Sequence, residues 1–280
     1  MKANLNSKQF LIYGSALIIF VIALSLFLAY FSGLRDPITV SFKRIYPAVL
    51  IDGRIISVND LEQSGITGER LGLTFNEAQV HFLESEKKYA LARKYNLKIS
   101  SDLSADELRF YTKGNESEYQ QLLSNVFGNE HFFRKYVVNP QVVDSQLRMK
   151  YFSDIKNSSP EYKRAQSVLD RISKGEKFED LAKLESDDKA TGQIGGDLGL
   201  YEPGQILPEL EDMISISAVG EVRKDIITSR LGYHIIFPIE YVTVDGKKKW
   251  HAKHMLFAPE GYESWLENQT KEITAKYIKK

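Results

Sequence analysis

The chain has 280 residues, with 37 basic and 37 acidic side chains and no cysteine. The balance of charge leaves no global field to recruit nucleic acid, and the missing thiols exclude disulfides, thiolate metal sites and a cysteine nucleophile. The length accommodates one membrane segment plus one or two compact domains, each large enough to bury a core.

Phe10 to Phe31 carries no charge and would reach about 33 Å as a helix, enough to cross a bilayer core. Lys2 and Lys8 precede it, and Tyr13 and Tyr30 sit near its ends, where aromatic belts form. No pair of small residues follows at cleavage spacing, which favours an uncleaved anchor over a removed signal peptide. The expectation is a cytoplasmic tail and anchor over residues 1–36, membrane contact through residues 10–31, and the bulk of the chain outside the cytoplasm.

Asp36–Pro37 ends that helix, and Val49 to Ser57 reads as two short strands about an Asp52–Gly53 turn. From Thr74 to Tyr151 the pattern is helical. Thr74 and Glu77 fit a capping box, after which Phe75, Ala78, Phe82 and Tyr89 recur on one face. Ser104 and Glu107 repeat the box, Gly114 is a stop signal, and Gly128 and Asn139–Pro140 punctuate two more helices. Ser159–Pro160 opens a helix that closes at Gly175, and Lys177 to Glu185 makes another. Gly195–Gly196 and Pro203–Gly204 read as turns, and Asp225–Thr228 and Tyr233–Val244 as strands. His251 and His254 stand three apart on a strand, on opposite faces, so no metal site is expected.

Ser186-Asp187-Asp188, Gly195-Gly196-Asp197-Leu198-Gly199, Pro208-Glu209-Leu210-Glu211 and Leu231-Gly232-Tyr233-His234-Ile235-Ile236 occur in that order. Together they resemble the signature of parvulin-type peptidyl-prolyl cis/trans isomerases, over Arg164 to Glu240. Ser173 to Ala182 is similar to the run joining that family's first two helices. Val49 to Ser57 resembles the opening of the N-terminal chaperone domain of SurA-type foldases, with Asp52 where Asn is usual.

The resemblance implies an α+β chain. A helical SurA-like chaperone domain would occupy 37–158, a parvulin domain with a four-stranded antiparallel sheet 159–257, and a C-terminal helix 258–280. It further implies cofactor-free rotation of X-Pro bonds in unfolded or proline-containing polypeptides, assisting exported proteins. A non-catalytic holdase on the same scaffold is the alternative. Asp188, His234, His254 and Ser229 match the family's catalytic positions. Leu198, Ile206 and Leu210 match its proline slot, which here is more aliphatic because Met and Phe are common at the last two positions. Thr228 competes with Ser229 for the hydroxyl position and is otherwise assigned to substrate binding. Blander roles are open too: the histidines as a mutually satisfied core pair, Asp188 as a helix cap.

Parvulins begin with a strand before their first helix, and nothing ahead of Ser159 fits it. Trp250 to Phe257, beyond the Asp245–Gly246 turn, does fit. A hairpin could therefore supply residues 247–257 as the first strand, a circular permutation; a second repeat cut short is the other reading. A strict two-residue turn would pair His254 with Phe237 and put the two histidines on opposite faces. A bulge at Pro238 would restore a common face.

Overall fold

The computed structural model describes residues 46–278. The tail and anchor expected over 1–36 lie outside the described residues; among those described, no helix is long and apolar enough to cross a membrane. The described residues divide into two compact units, 46–82 with 274–278, and Leu83–Ile273.

In the first unit β1 (Pro47–Ile51) and β2 (Arg54–Ser57) pair antiparallel across the Asp52–Gly53 turn. Val49, Ile51 and Ile56 are buried. Helix α1 (Val58–Arg70) follows directly, capped by Ser57, whose Oγ accepts the Asp60 N–H at 3.1 Å. Sequence periodicity did not indicate this helix, because its buried positions are Ser64, Gly65 and Gly68. Those small residues permit close packing: a Cβ on Gly68 would lie 2.1 Å from the Ala78 Cβ. Ala78 belongs to α2 (Phe75–Lys94), which opens with the expected capping box. The Thr74 N–H donates to Glu77 Oε2 at 2.8 Å, and the Glu77 N–H to Thr74 Oγ1 at 3.3 Å.

The second expected box is not one. Helix α3 (Ser101–Thr112) is capped by Ser100, whose Oγ accepts the Leu103 N–H at 3.2 Å. Ser104 lies a turn inside and donates to Asn139 Oδ1 at 2.7 Å, while Glu107 is buried in a different contact. After α4 (Glu116–Leu122) come α5 (Glu130–Phe133) and α6 (Asn139–Ile155). Asn139–Pro140 does not break the chain, which stays helical from Glu130 to Ile155 through a π-turn. Pro140 falls in the first turn of α6, where its missing N–H is not needed.

Next come α7 (Pro160–Ser173), α8 (Phe178–Glu185), the one-turn α9 (Lys189–Gly192), β3 (Asp197–Tyr201), α10 (Pro208–Ser215), β4 (Ile227–Ser229), β5 (Gly232–Val244) and β6 (Lys247–Phe257). The four strands form an antiparallel sheet in the order β3-β6-β5-β4. Alternation along the strands sorts its faces. Tyr233, Ile235, Met255 and Phe257 pack with Ala165, Val168, Phe178 and Leu181 of α7 and α8. Ile227, Ile236 and Ala252 pack with Leu210 and Ile214 of α10. The sequence carries no strand signal at β3, since its Asp-Leu-Gly-Leu-Tyr run holds Gly199 at a φ of 67° and only pairing with β6 makes it a strand.

β6 is an interior strand, delivered by a hairpin. Asp245 and Gly246 have φ of 52° and 74°, the geometry of a type I′ turn, and Val244 pairs with Lys247. A bulge between Pro238 and Glu240 then shifts the register. Beyond it His254 pairs with Ile236, not Phe237, and Leu256 pairs with His234.

The helix expected over 258–280 needs correction. Helix α11 covers Tyr262–Lys271, and β7 (Ala275–Tyr277) adds a third strand to the first sheet, beside β1. The physical reason is the open edge of β1. Its backbone is satisfied there: the Asp52 N–H donates to Thr274 O at 3.1 Å, and the Ile278 N–H to Ala48 O at 3.0 Å.

Candidate active site

The shifted register puts His234 and His254 on one face. Their rings stack with centroids 5.4 Å apart, and the two Nδ1 atoms are 3.2 Å apart. Each outer nitrogen has its own partner. Ser229 Oγ lies 2.8 Å from His234 Nε2, and Asp188 Oδ2 lies 2.9 Å from His254 Nε2. Thr191 Oγ1 donates to the same Asp188 oxygen at 2.7 Å and lies 3.0 Å from His254 Nε2.

An ionised carboxylate only accepts, so His254 Nε2 holds the proton. Its Nδ1 then accepts from His234 Nδ1–H, and His234 Nε2 accepts from the Ser229 hydroxyl. Ser229 Oγ in turn accepts the Leu231 N–H at 3.0 Å. Donation therefore runs one way, from Leu231 to Asp188. The electrostatics agree with that assignment. Burial, with the neighbouring His254, pushes His234 well below its ordinary 6.5. Burial also lowers His254, outweighing the pull of Asp188. Burial alone would raise Asp188, but hydrogen bonds from Thr191 and His254 hold it below the usual carboxylate value. Asp188 is the wet end: its side chain is 25% exposed, against 6% for His254, while Ser229 and His234 are fully buried. It also caps α9, accepting the Ala190 N–H at 3.1 Å with the same carboxylate that meets His254.

The Ser-Asp-Asp and Gly-Gly runs both dock on β6. The His254 N–H donates to Gly196 O at 2.8 Å, and the Asp187 N–H to Leu256 O at 2.8 Å. Gly196 has φ of 80°, and a Cβ there would lie 2.3 Å from His254 O, so no other residue permits this approach. On the histidines' face of the sheet, Leu198, Ile206 and Leu210 join one apolar cluster with Tyr201, Ile214 and Ile236. Leu198 and Ile206 are half-buried and Leu210 is buried. Thr228 stands apart. It pairs with Tyr233, one step out of phase with the Ile227–His234 pair, and lines a cavity beside α6. His251 bonds Asp197 Oδ1 at 2.7 Å, separate from the histidine chain.

Residues 147–239 match the family of the PPIC-type PPIase (rotamase) domain. This segment is a parvulin-type isomerase domain. The chain is 33% identical over 121 residues to the chaperone SurA of Nitrosospira multiformis, covering 41% of this chain and 27% of that one. It is 29% identical over 155 residues to the foldase protein PrsA of Caldanaerobacter subterraneus subsp. tengcongensis, covering 52% and 50%. The chain thus spans half or less of the length of these curated relatives. A solved peptidylprolyl isomerase (PrsA) from Bacillus anthracis aligns at 18% identity and a TM-score of 0.23, over 67% of this chain and 84% of that one. The match to the parvulin-type domain begins inside α6 and ends within β5. β6 and its His254 lie beyond it.

Two residues around the parvulin-type site escaped the sequence reading. Thr191, three positions after Asp188, was legible as a capping partner. Arg230 was not. Its Nη1 and Nη2 donate to Glu107 Oε1 and Oε2 at 2.8 and 2.6 Å, and its Nε to Glu209 Oε1 at 2.8 Å. The Arg230 and Glu107 side chains are 9% and 2% exposed. One guanidinium therefore ties α3 to the start of α10, beside Leu210, and to the loop that follows Ser229.

Proposed function

We propose that this chain is a peptidyl-prolyl cis/trans isomerase acting on unfolded, proline-containing polypeptides, tethered to a membrane through residues 10–31 with its folded bulk outside the cytoplasm. The observation that carries the activity is the Asp188–His254–His234–Ser229 chain on the same face of the sheet as the Leu198–Ile206–Leu210 cluster. The uncharged run from Phe10 to Phe31 supports the tether, and the names of the SurA and PrsA relatives support a folding role. The place of β6 between β3 and β5 supports a permuted parvulin domain, with residues 247–257 as the family's first strand.

An X-Pro amide turns across a barrier of about 18–20 kcal/mol, and no bond is made or broken. The catalyst need only hold the twisted amide better than the planar one. An acceleration of about ten-thousand-fold corresponds to roughly 5.5 kcal/mol of such preference. The apolar slot grips the proline ring, while Asp188, the water-touching member of the chain, sets the field beside the rotating carbonyl. His234 and His254 act through Asp188: neutral and hydrogen-bonded in series, they hold its carboxylate in place.

The test is a prolyl-peptide isomerisation assay on the full chain in detergent micelles. The expected result is acceleration that falls at least about tenfold in Leu198→Ala and Asp188→Ala. A rate equal to the uncatalysed one would reject the enzyme. One observation favours the holdase instead: a groove of about 700 Å³ between α7 and the segment before β4, lined by Tyr162, Leu169, Ile172 and Val222, offers apolar surface away from the histidines. Suppression of client aggregation that survives Asp188→Ala would support that role.

A further inference from the structure

α3, α6, the first turns of α10 and β4 line a half-open cavity of about 380 Å³, within the ~300–1,000 Å³ range of ligand pockets. Leu103, Val142, Met149, Met213, Ile226 and Ile227 make its apolar wall. The polar wall is acidic: Asp106, Glu107, Glu209 and Asp212, with Arg230 the one basic residue among the described residues that line it. Arg230 is already committed, both terminal nitrogens to Glu107 and Nε to Glu209 Oε1. Glu209 Oε2 is left buried with no hydrogen-bond partner among the described residues. Outside the wall Arg109 pairs with Asp106 and stands 3.7 Å from Glu211. Burial and the nearby Asp106 charge still push the Asp212 carboxyl above its ordinary value. The cavity thus combines a greasy wall with negative charge in excess of its counter-charge.

We propose that this cavity binds the cationic side chain of a lysine or arginine in the client polypeptide, the methylenes against the apolar wall and the charge against Glu209 and Asp212. Long basic side chains divide themselves in this way between apolar and charged surfaces. The inference rests on the isomerase reading for the class of client and adds a preference among clients. Ile227 and Met213 belong both to the cavity wall and to the apolar cluster of the slot. A chain whose proline enters the slot would therefore run beside the wall that slot and cavity share. Leu103, Asp106, Glu107 and Val142 lie outside the segment that matches the isomerase family, so the preference would belong to this chain and not to the domain in general.

The experiment uses prolyl peptides identical except for one lysine, norleucine or glutamate, moved through each position flanking the proline, and titrated into the full chain in micelles by fluorescence anisotropy. At one register the lysine peptide is expected to bind about tenfold tighter than the norleucine peptide, with glutamate weakest. The advantage should shrink as salt is raised, and should vanish in Glu209→Gln/Asp212→Asn. Met149→Lys, which fills the cavity with a cation of its own, should abolish it as well, and serves if the double variant does not fold. Equal binding of lysine and norleucine peptides at every register would overturn the proposal, as would a preference for glutamate or a lysine advantage that survives both variants. Loss of the isomerase reading shows separately, as absent turnover of the norleucine peptide.

Discussion

Protonating His254 on Nδ1 would set two N–H groups against each other, because His234 Nδ1 already donates across the 3.2 Å gap. Both histidines have folded-state values below 6.5, chiefly from burial. The unfolded chain therefore takes up protons first as pH falls through about 6.5, and stability is full above that value and declines below it. Urea melts at pH 7.5 and 5.5 should show the loss; equal or greater stability at pH 5.5 would contradict the neutral, one-way chain. Asp188 separates two effects. In Asp188→Asn the amide oxygen can still accept from His254 Nε2, so the fold should hold while turnover falls at least about tenfold. Asp188→Ala also loses the cap of α9, a further ~1 kcal/mol of stability. Comparing kcat/KM with melting for the two variants checks the assignment. If Asp188→Asn is as active as the parent, the carboxylate charge has no part in the reaction.

The hairpin of β5 and β6 is where sequence reasoning and long-range structure meet. Its Asp245–Gly246 turn and the candidate bulge at Pro238 are local signals, and together they imply that the histidines share a face. The caps of α2 and α7 are equally local, since a side-chain oxygen and a backbone N–H three residues away suffice. Strands β3 and β7 were not legible because each is short and becomes a strand only through a distant partner, β6 and β1. Glu107 was misread for the same reason: its spacing from Ser104 mimics a cap, while its real partner is Arg230. Leu200 and His251 are backbone neighbours across β3 and β6, and the chain has no other cysteine to interfere. Leu200→Cys/His251→Cys should therefore cross-link under mild oxidation. Failure to cross-link in the folded protein would mean β6 does not lie beside β3.

At the scale of the molecule, the contacts of residues 147–239 reach beyond that segment on both sides. The sheet has β6, with His254, from the C-terminal side as an interior strand, and Arg230 has a buried counter-charge, Glu107, from α3 on the N-terminal side. Losing Glu107 strips both terminal nitrogens of Arg230 of their buried partner and leaves Glu209 on Nε as its remaining counter-charge. Breaking a buried pair typically costs about 3–5 kcal/mol, and the Glu209 contact sets the loss at the lower end. Glu107→Ala should accordingly destabilise the fold by that order, read from denaturant melts. A change under about 1 kcal/mol would show that Arg230 finds other partners.

The most direct measurement of the central claim is NMR exchange spectroscopy of a prolyl peptide with the full chain in micelles, comparing the parent with His254→Ala. If β6 completes the isomerase site, the parent speeds cis/trans exchange by orders of magnitude and the variant loses at least about tenfold of that gain. A parent that leaves exchange at its uncatalysed rate, or a folded variant that matches the parent, would contradict the account.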